Sequence, residues 1–463
     1  MNRDIINTYL LNINGFDLNI NLKDNSIIYN VRSLNSDRSN KFIFSDLINF
    51  DIKVNNIRTY KKEINIKLER ISSKHKITLS IKRKDDSLFT EYYINSLPSD
   101  FPEYTIKGKS PYLGDYYFTS LVTKPLYYIF KMNNDGEILF YKGTNYRPAL
   151  FKKVINGSKI RYIYTECTNN PIKKEPLKSS HLTADIVLLN ENYQEIDRIN
   201  SIINGAQPDP HDVYYINDRH YIIEVYEPKT VYNIPSKFHI KNNQSDIIAS
   251  CIYEYKNNNI LWKWDSSDFP ELYILSEEGN DYENKESLYA DYAHINSKDV
   301  DKSDNNILIS LRNLSTILKI NRRSGEIMWY LGGKKDEFNL KEEEKFSKQN
   351  NATFLKDGSI LIFDNGVKNS KSRIVKIKID ENNKKIISYD SFNLEDRYSI
   401  IMGSSQLLDR HKDVYLICWG GMIDGNTTVT EHDFKNNKTL FEFTYKNKSK
   451  NLGPIMYRAY KCI

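Results

Sequence analysis

The chain has 463 residues, 40% of them hydrophobic, which is more than one ordinary core holds. Its net charge of +6, from 66 basic and 60 acidic residues scattered along the chain, argues against a nucleic-acid partner and reflects a Lys-, Asn-, Ile- and Tyr-rich composition. No run approaches the roughly 18 apolar residues of a membrane span. The opening MNRDIINTYLLNING lacks the apolar centre and small-residue cleavage site of a secretory leader, so the expectation is a cytoplasmic chain with no membrane partner. The four cysteines (Cys167, Cys251, Cys418 and Cys462) are far apart and show no metal or disulfide-framework spacing, so neither a metal nor a cofactor is expected.

Helical patterns are nearly absent. The first hundred residues alternate with period two, as in FDLNINLKDNSIIYNV and IRTYKKEINIKLERI, which reads as strands bounded by Asn, Asp and Lys turns. Pro98 and Pro102 punctuate the end of this segment. A small N-terminal β-sandwich over residues 1–104 is expected, followed by a second domain over 105–463.

That second segment repeats one unit: a strand, a polar hairpin tip, and an apolar strand often carrying an aromatic. It occurs as IFKMNNDGEILFY from Ile129, IVLLNENYQEIDRI from Ile186 and IYEYKNNNILWKW from Ile252. It returns as ILKINRRSGEIMWY from Ile317, VKIKIDENNKKIISY from Val375 and VTEHDFKNNKTLFEF from Val429, at spacings of 57, 66, 65, 58 and 54 residues. Six copies predict the outer hairpins of a six-bladed β-propeller with long loops, in an all-β protein. Upstream of most hairpins lies a second strand pair: GDYYFTSLVTKP, HDVYYINDRHYIIEVYEP, HINSKDVDKSDNNILISLRN, NNATFLKDGSILIFDNG and SSQLLDRHKDVYLICWGG. Radial repetition brings the ends of these strands to one axis.

The residues at those ends are chemically distinctive. PDPHDVYY places His211 there, DYAHINS places His294 and Asn296, and LISLRN places Arg312. QNNA opens the next blade and MGSSQ, with Ser404, the one after. Each residue alone has a plainer reading as a core or ion-paired group, and His75, His181, His220, His239, His411 and His432 keep that reading. Two imidazoles and a guanidinium converging on one axis would form an anion site, with Arg offering a planar fork to a tetrahedral oxyanion.

The run DYAHINS…NNILISLRNLSTILKINRRSGEIMWYLGGKKDEF…FSKQNNATFLKDGSILIFDNG resembles the arylsulfate sulfotransferase family. That family's pattern is D-W-x-H-x-N-S, a strand ending in S-x-R-N, then I-x-K-I-x-x-x-x-G-x-I-x-W-x-L-G-G, Q-H-x-A and F-D-N-G. PDPHDVYY matches its upstream His-Asp motif and IMYRAYK, with Tyr457, its closing Tyr-Arg segment. The resemblance implies a six-bladed propeller behind a smaller β domain. It implies sulfuryl transfer from an aryl sulfate to a phenol by a ping-pong route through a sulfohistidine, without a nucleotide donor. Arg312 and His294 would hold the sulfuryl oxygens, with Asn296, Ser404 and Tyr457 binding substrate and His211 acting as acid or base. A homodimer is an expectation from the resemblance alone.

One residue departs from the pattern. Aligning Gln349 and Ala352 on Q-H-x-A puts Asn350 where the family has its nucleophilic His. An amide nitrogen is not basic and cannot carry a sulfuryl group that way. Three explanations stand: an engineered His→Asn variant that traps substrate, a natural homologue that binds aryl sulfates without turnover, or an enzyme that uses His294, His211 or direct transfer instead.

Overall fold

The computed structural model describes residues 8–13, 16–22, 28–31, 39–67, 76–98, 101–121, 126–168, 182–202, 205–285, 289–395, 397–422, 428–446 and 455–462. His75, His181, the residues 1–7 that open the chain, residues 99–100 beside the expected boundary and the 122–125 end of GDYYFTSLVTKP lie outside the described residues.

The N-terminal segment forms two sheets. One orders Phe16–Asn21, Thr8–Ile13, Ser39–Phe44 and Glu63–Lys67 side by side, all antiparallel. The other has five strands and one parallel pair, Ile28–Val31 with Thr90–Ser96. Leu11, Phe42 and Phe44 of the first sheet and Ile52, Leu79 and Tyr92 of the second share one core. Alternation puts Tyr9, Leu11 and Ile13 of the first sheet and Ile77, Leu79 and Ile81 of the second into that core.

Among the described residues, six antiparallel sheets of four or five strands follow, with a two-stranded pair, Ser399–Ile401 with Gly421–Met422, beside them. All six hairpins read from the sequence are the third and fourth strands of a blade counted from the axis: Tyr127–Met132 with Ile138–Thr144, Thr183–Leu189 with Glu195–Ile199, and Ser245–Lys256 with Asn259–Asp265. The remaining three are Thr316–Ile320 with Ile327–Gly332, Arg373–Asp380 with Lys385–Phe392, and Val429–Asp433 with Lys438–Tyr445. Neighbouring sheets share apolar side chains all the way round. Tyr117 meets Phe151 between the first and second blades. Val213 and Ile309 join a core running through the second, third and fourth. Ile317 packs with Ala352, Phe363 with Tyr415, and Phe443 with Phe118 to complete the ring. The molecule is therefore a six-bladed propeller.

Two features differ from the sequence reading. The described part of GDYYFTSLVTKP supplies one strand, Asp115–Ser120; the innermost strand of the first blade is Tyr460–Cys462, from the far end of the chain. Tyr104–Gly108 adds a fifth, outermost strand to the sixth blade by pairing with Lys438–Tyr445. Both ends of the propeller segment thus close the ring, one at the axis and one at the rim. No helix among the described residues is long and apolar enough to cross a membrane.

The Leu-Gly-Gly that ends the fourth blade has a steric reason. Gly332 and Gly333 hold φ of +79° and +64°, and an added Cβ would lie 2.5 Å from the Phe346 ring and 2.1 Å from Thr316 Oγ1 respectively.

Candidate active site

A cleft of about 600 Å³ opens where the blades converge, and six of the seven residues singled out in the sequence line it: His211, His294, Asn296, Arg312, Asn350 and Tyr457. The strands that carry them break register there. The pairing of Pro208–Asn217 skips from Pro208 to Val213 around His211. That of Ile295–Val300 skips Asn296, and that of Asn350–Phe354 shifts between Asn350 and Thr353. Such bulges loosen the ladder, and three successive blades carry one beside a cleft residue: around His211, at Asn296, and just after Asn350, which stays paired with Phe363. Ser404, the seventh residue, is buried outside the lining, its hydroxyl tied to the Ala459 amide at 3.3 Å and carbonyl at 3.4 Å. The four other described histidines do not line the cleft.

Both cleft histidines are backed by a carboxylate from their own segment. His211 meets Asp209 through its backbone N–H at 2.8 Å and through Nδ1 at 2.5 Å. His294 Nδ1 meets Asp291 Oδ2 at 2.7 Å. This partner orients each ring and fixes its tautomer. His294 holds φ of +55°, an uncommon region for a side-chain-bearing residue, fixed by the Arg312 amide donating to its carbonyl at 3.0 Å. The two rings stand edge to face with centroids 5.2 Å apart, and Tyr457 lies 5.4 Å from His211. Burial alone would lower the His211 pKa, but the Asp209 and Glu224 carboxylates outweigh it and hold it above its ordinary value. Burial pushes the Tyr457 phenol well above its ordinary range, so it stays a neutral donor. The Tyr457 hydroxyl and Asn296 Oδ1 are buried without a hydrogen-bond partner among the described residues. A ligand in the cleft would satisfy such groups.

Positive charge lies on two sides. Arg312 donates to Asn313 Oδ1 at 2.7 Å and pairs with Glu278 at 3.1 Å. Arg458, fully buried, donates to the Asn296 carbonyl at 2.5 Å, meets Asp212 at 3.3 Å and lies under the Tyr457 ring. Asp212 is held well below the usual carboxylate range: burial would raise it, but Lys152, Arg458 and Lys298 together outweigh that. Burial pushes Glu224 up to about 8, and neither of its oxygens has a hydrogen-bond partner among the described residues, although Lys298 Nζ lies 3.4 Å away. Asp209, His211 and Glu224 offer ligand atoms within 4.8 Å of one another. The trio fits a metal ion poorly, since His211 Nδ1 is engaged by Asp209 and the Lys298 ammonium already faces Glu224.

The amides of QNNA stitch blades together. Gln349 donates to Ser310 Oγ, the Leu311 carbonyl and the Thr316 carbonyl of the fourth blade at 3.0, 3.3 and 3.1 Å. Asn350 Nδ2 donates to Asn365 Oδ1 at 2.9 Å, and Asn365 in turn donates to the Ser399 and Met402 carbonyls, each at 2.9 Å. Asn351, at φ +51°, accepts from the Ser405 amide of the sixth blade at 3.1 Å. Asn350 is thus a cleft residue locked by a neutral network, with no lone pair on nitrogen to offer.

Sequence reasoning did not single out Arg147 and Glu278, which also line the cleft, nor Arg458 behind it. Asp209 and Asp291 stand two and three residues before the two histidines, and that local spacing was a readable signal.

The family model for arylsulfotransferase (ASST) matches residues 130–458, well over half of the chain. The chain belongs to that family. As an arylsulfotransferase it falls among enzymes whose substrates are aryl sulfates and phenols. Comparison with curated proteins gives no match. Among solved structures, a protein of unknown function from Bacteroides caccae has 12% identity over 75% of this chain and 98% of its own, with a TM-score of 0.43. A catalytically inactive virginiamycin B lyase from Staphylococcus aureus, with quinupristin, has 11% identity over 76% and 92%, with a TM-score of 0.33. A functionally unknown protein from Desulfotomaculum acetoxidans has 12% identity over 73% and 83%, with a TM-score of 0.36. Likenesses this distant carry no argument about the reaction.

Proposed function

We propose that this arylsulfotransferase moves a sulfuryl group from an aryl sulfate to a phenol, with His294 and not Asn350 as the covalent carrier. The observation that supports this is the pair of carboxylate-backed imidazoles, 5.2 Å apart, in a cleft that also holds Arg312. His294 Nε2 attacks sulfur and forms an N–S bond as the aryl S–O bond breaks. His211, whose charged form Asp209 stabilises, gives its proton to the departing phenolate. An acceptor phenol then enters, returns a proton to His211, and attacks sulfur as the N–S bond breaks. Arg312 meets the charge spread over the sulfuryl oxygens, and the neutral Tyr457 hydroxyl adds a donor. Asn350 keeps a geometric part only.

The test is release of p-nitrophenol from p-nitrophenyl sulfate in the presence of phenol. Release that depends on phenol and disappears in His294→Ala is expected. No release from folded protein, or release unaffected by His294→Ala, contradicts the proposal. Asn350 itself favours a second reading, a site that holds aryl sulfates without turnover. That reading predicts saturable binding with no release, and turnover gained in Asn350→His.

A further inference from the structure

Glu278 places one carboxylate oxygen between two cations of the site. Its Oε2 lies 3.1 Å from an Arg312 nitrogen and 3.0 Å from Lys348 Nζ. The cations are largely buried, with 15% and 11% of their side chains exposed, whereas half of the Glu278 side chain is open to solvent. Among the described residues, Glu278 is the carboxylate that Lys348 Nζ pairs with. Burial, with the Arg312 charge adding to it, lowers the Lys348 pKa despite the Glu278 carboxylate. The backbone on which Glu278 rides is fixed: Ser276 Oγ donates to its carbonyl at 2.8 Å, and the next residue, Gly279, packs where a Cβ would lie 2.2 Å from the Asp291 carbonyl. Only the side chain is left to swing. Other charges nearby are already committed, Asp291 to His294 and Glu277 to Ser315 and Lys368.

We propose that Arg312 and Lys348 form a two-cation cradle for the substrate's anionic head and that Glu278 is its charge selector. Glu278 cancels one of the two positive charges, so a monoanionic sulfate ester is held and a dianionic phosphate ester is turned away. A sulfate ester and a phosphate ester have the same tetrahedral shape, so hydrogen-bond geometry cannot separate them; a resident carboxylate can, because the second negative charge meets it directly. This rests on the reading of the cleft as an aryl sulfate site. It adds Lys348, hidden behind Glu278 and outside the cleft lining, as a second cation for that head.

The experiment is calorimetric titration of the full chain carrying His294→Gln, which takes no sulfuryl group and serves as the parent, with p-nitrophenyl sulfate and with p-nitrophenyl phosphate at about pH 8, where the phosphate ester is a dianion. The parent and its Glu278→Gln, Glu278→Ala, Lys348→Met and Arg312→Ala variants are compared, each checked for folding by its melting curve. The parent is expected to bind the sulfate ester and reject the phosphate ester. Both Glu278 variants should shift that preference toward phosphate by about tenfold or more, a reach limited by the solvent around Glu278. Lys348→Met should weaken sulfate-ester binding. Arg312-dependent sulfate binding with an unchanged preference in both Glu278 variants overturns the selector and leaves the site reading intact. Sulfate binding that is absent from the parent, or indifferent to Arg312→Ala, overturns both.

Discussion

The third and fourth blades and the fifth solve the same structural problem with different chemistry. In each, the inner strand loses register at the axis, beside the residues that face the cleft. The third and fourth blades present histidines held by Asp209 and Asp291. The fifth presents Asn350, held by the amide of Asn365. A carboxylate partner raises the basicity of an imidazole and stabilises its cation, whereas an amide partner fixes a position and leaves charge alone. The backing residue therefore matches the residue it backs, and the fifth blade is built as a neutral wall beside two acid–base walls.

This contrast can be broken by experiment. The largest effect should follow removal of the charged or reacting groups. Arg312→Ala and His294→Ala should each lower kcat/KM for p-nitrophenyl sulfate by roughly a thousandfold, measured by steady-state kinetics on folded protein. A next-largest loss, on the order of a hundredfold in kcat, is expected for Asp291→Asn, which acts through His294 as a positioning residue. Its pH–rate profile should also move, a change that a purely structural role would not produce. The fifth blade should answer in stability: Asn350→Ala leaves Asn365 Oδ1 unpaired in a buried place and should cost about 1–2 kcal/mol in denaturant unfolding. A kinetic loss of a thousandfold there would mean that Asn350 does chemistry after all.

The smallest effect is a pH dependence of stability. Because Asp209 holds the His211 pKa above its ordinary value, His211 contributes stability that is fully present below about pH 6.5 and is lost as pH rises through the raised value. The melting temperature of the unsubstituted chain should exceed that of Asp209→Asn most near pH 6, and the gap should narrow toward about pH 9. A gap that widens with pH would mean that Asp209 supports His211 in its neutral form.

Much of this contrast is legible in the amino-acid sequence. The six hairpins stand out because each is local: two strands, a polar tip and a repeat that counts blades. His211, His294, Asn296, Arg312 and Asn350 can be placed at the axis because radial repetition puts equivalent strand ends together. What escapes is non-local. Tyr460–Cys462 is three residues long and pairs with Asp115–Tyr117 across nearly the whole chain, so no window of sequence contains both partners. Glu278 and Arg147 sit in loops outside the repeating strands, where no periodicity marks them. Ser404 falls at the same strand position as Asn350, yet Ala459 from the closing segment claims its hydroxyl. Equivalent positions in a repeat fold are equivalent only until the chain that closes the ring reaches them.

The most direct test of the central claim is the mass of the protein after brief exposure to p-nitrophenyl sulfate alone. The account predicts one added sulfuryl group, located on His294 by peptide mapping and removed when phenol is supplied. Turnover without any labelled protein, or a label on another residue, would contradict it.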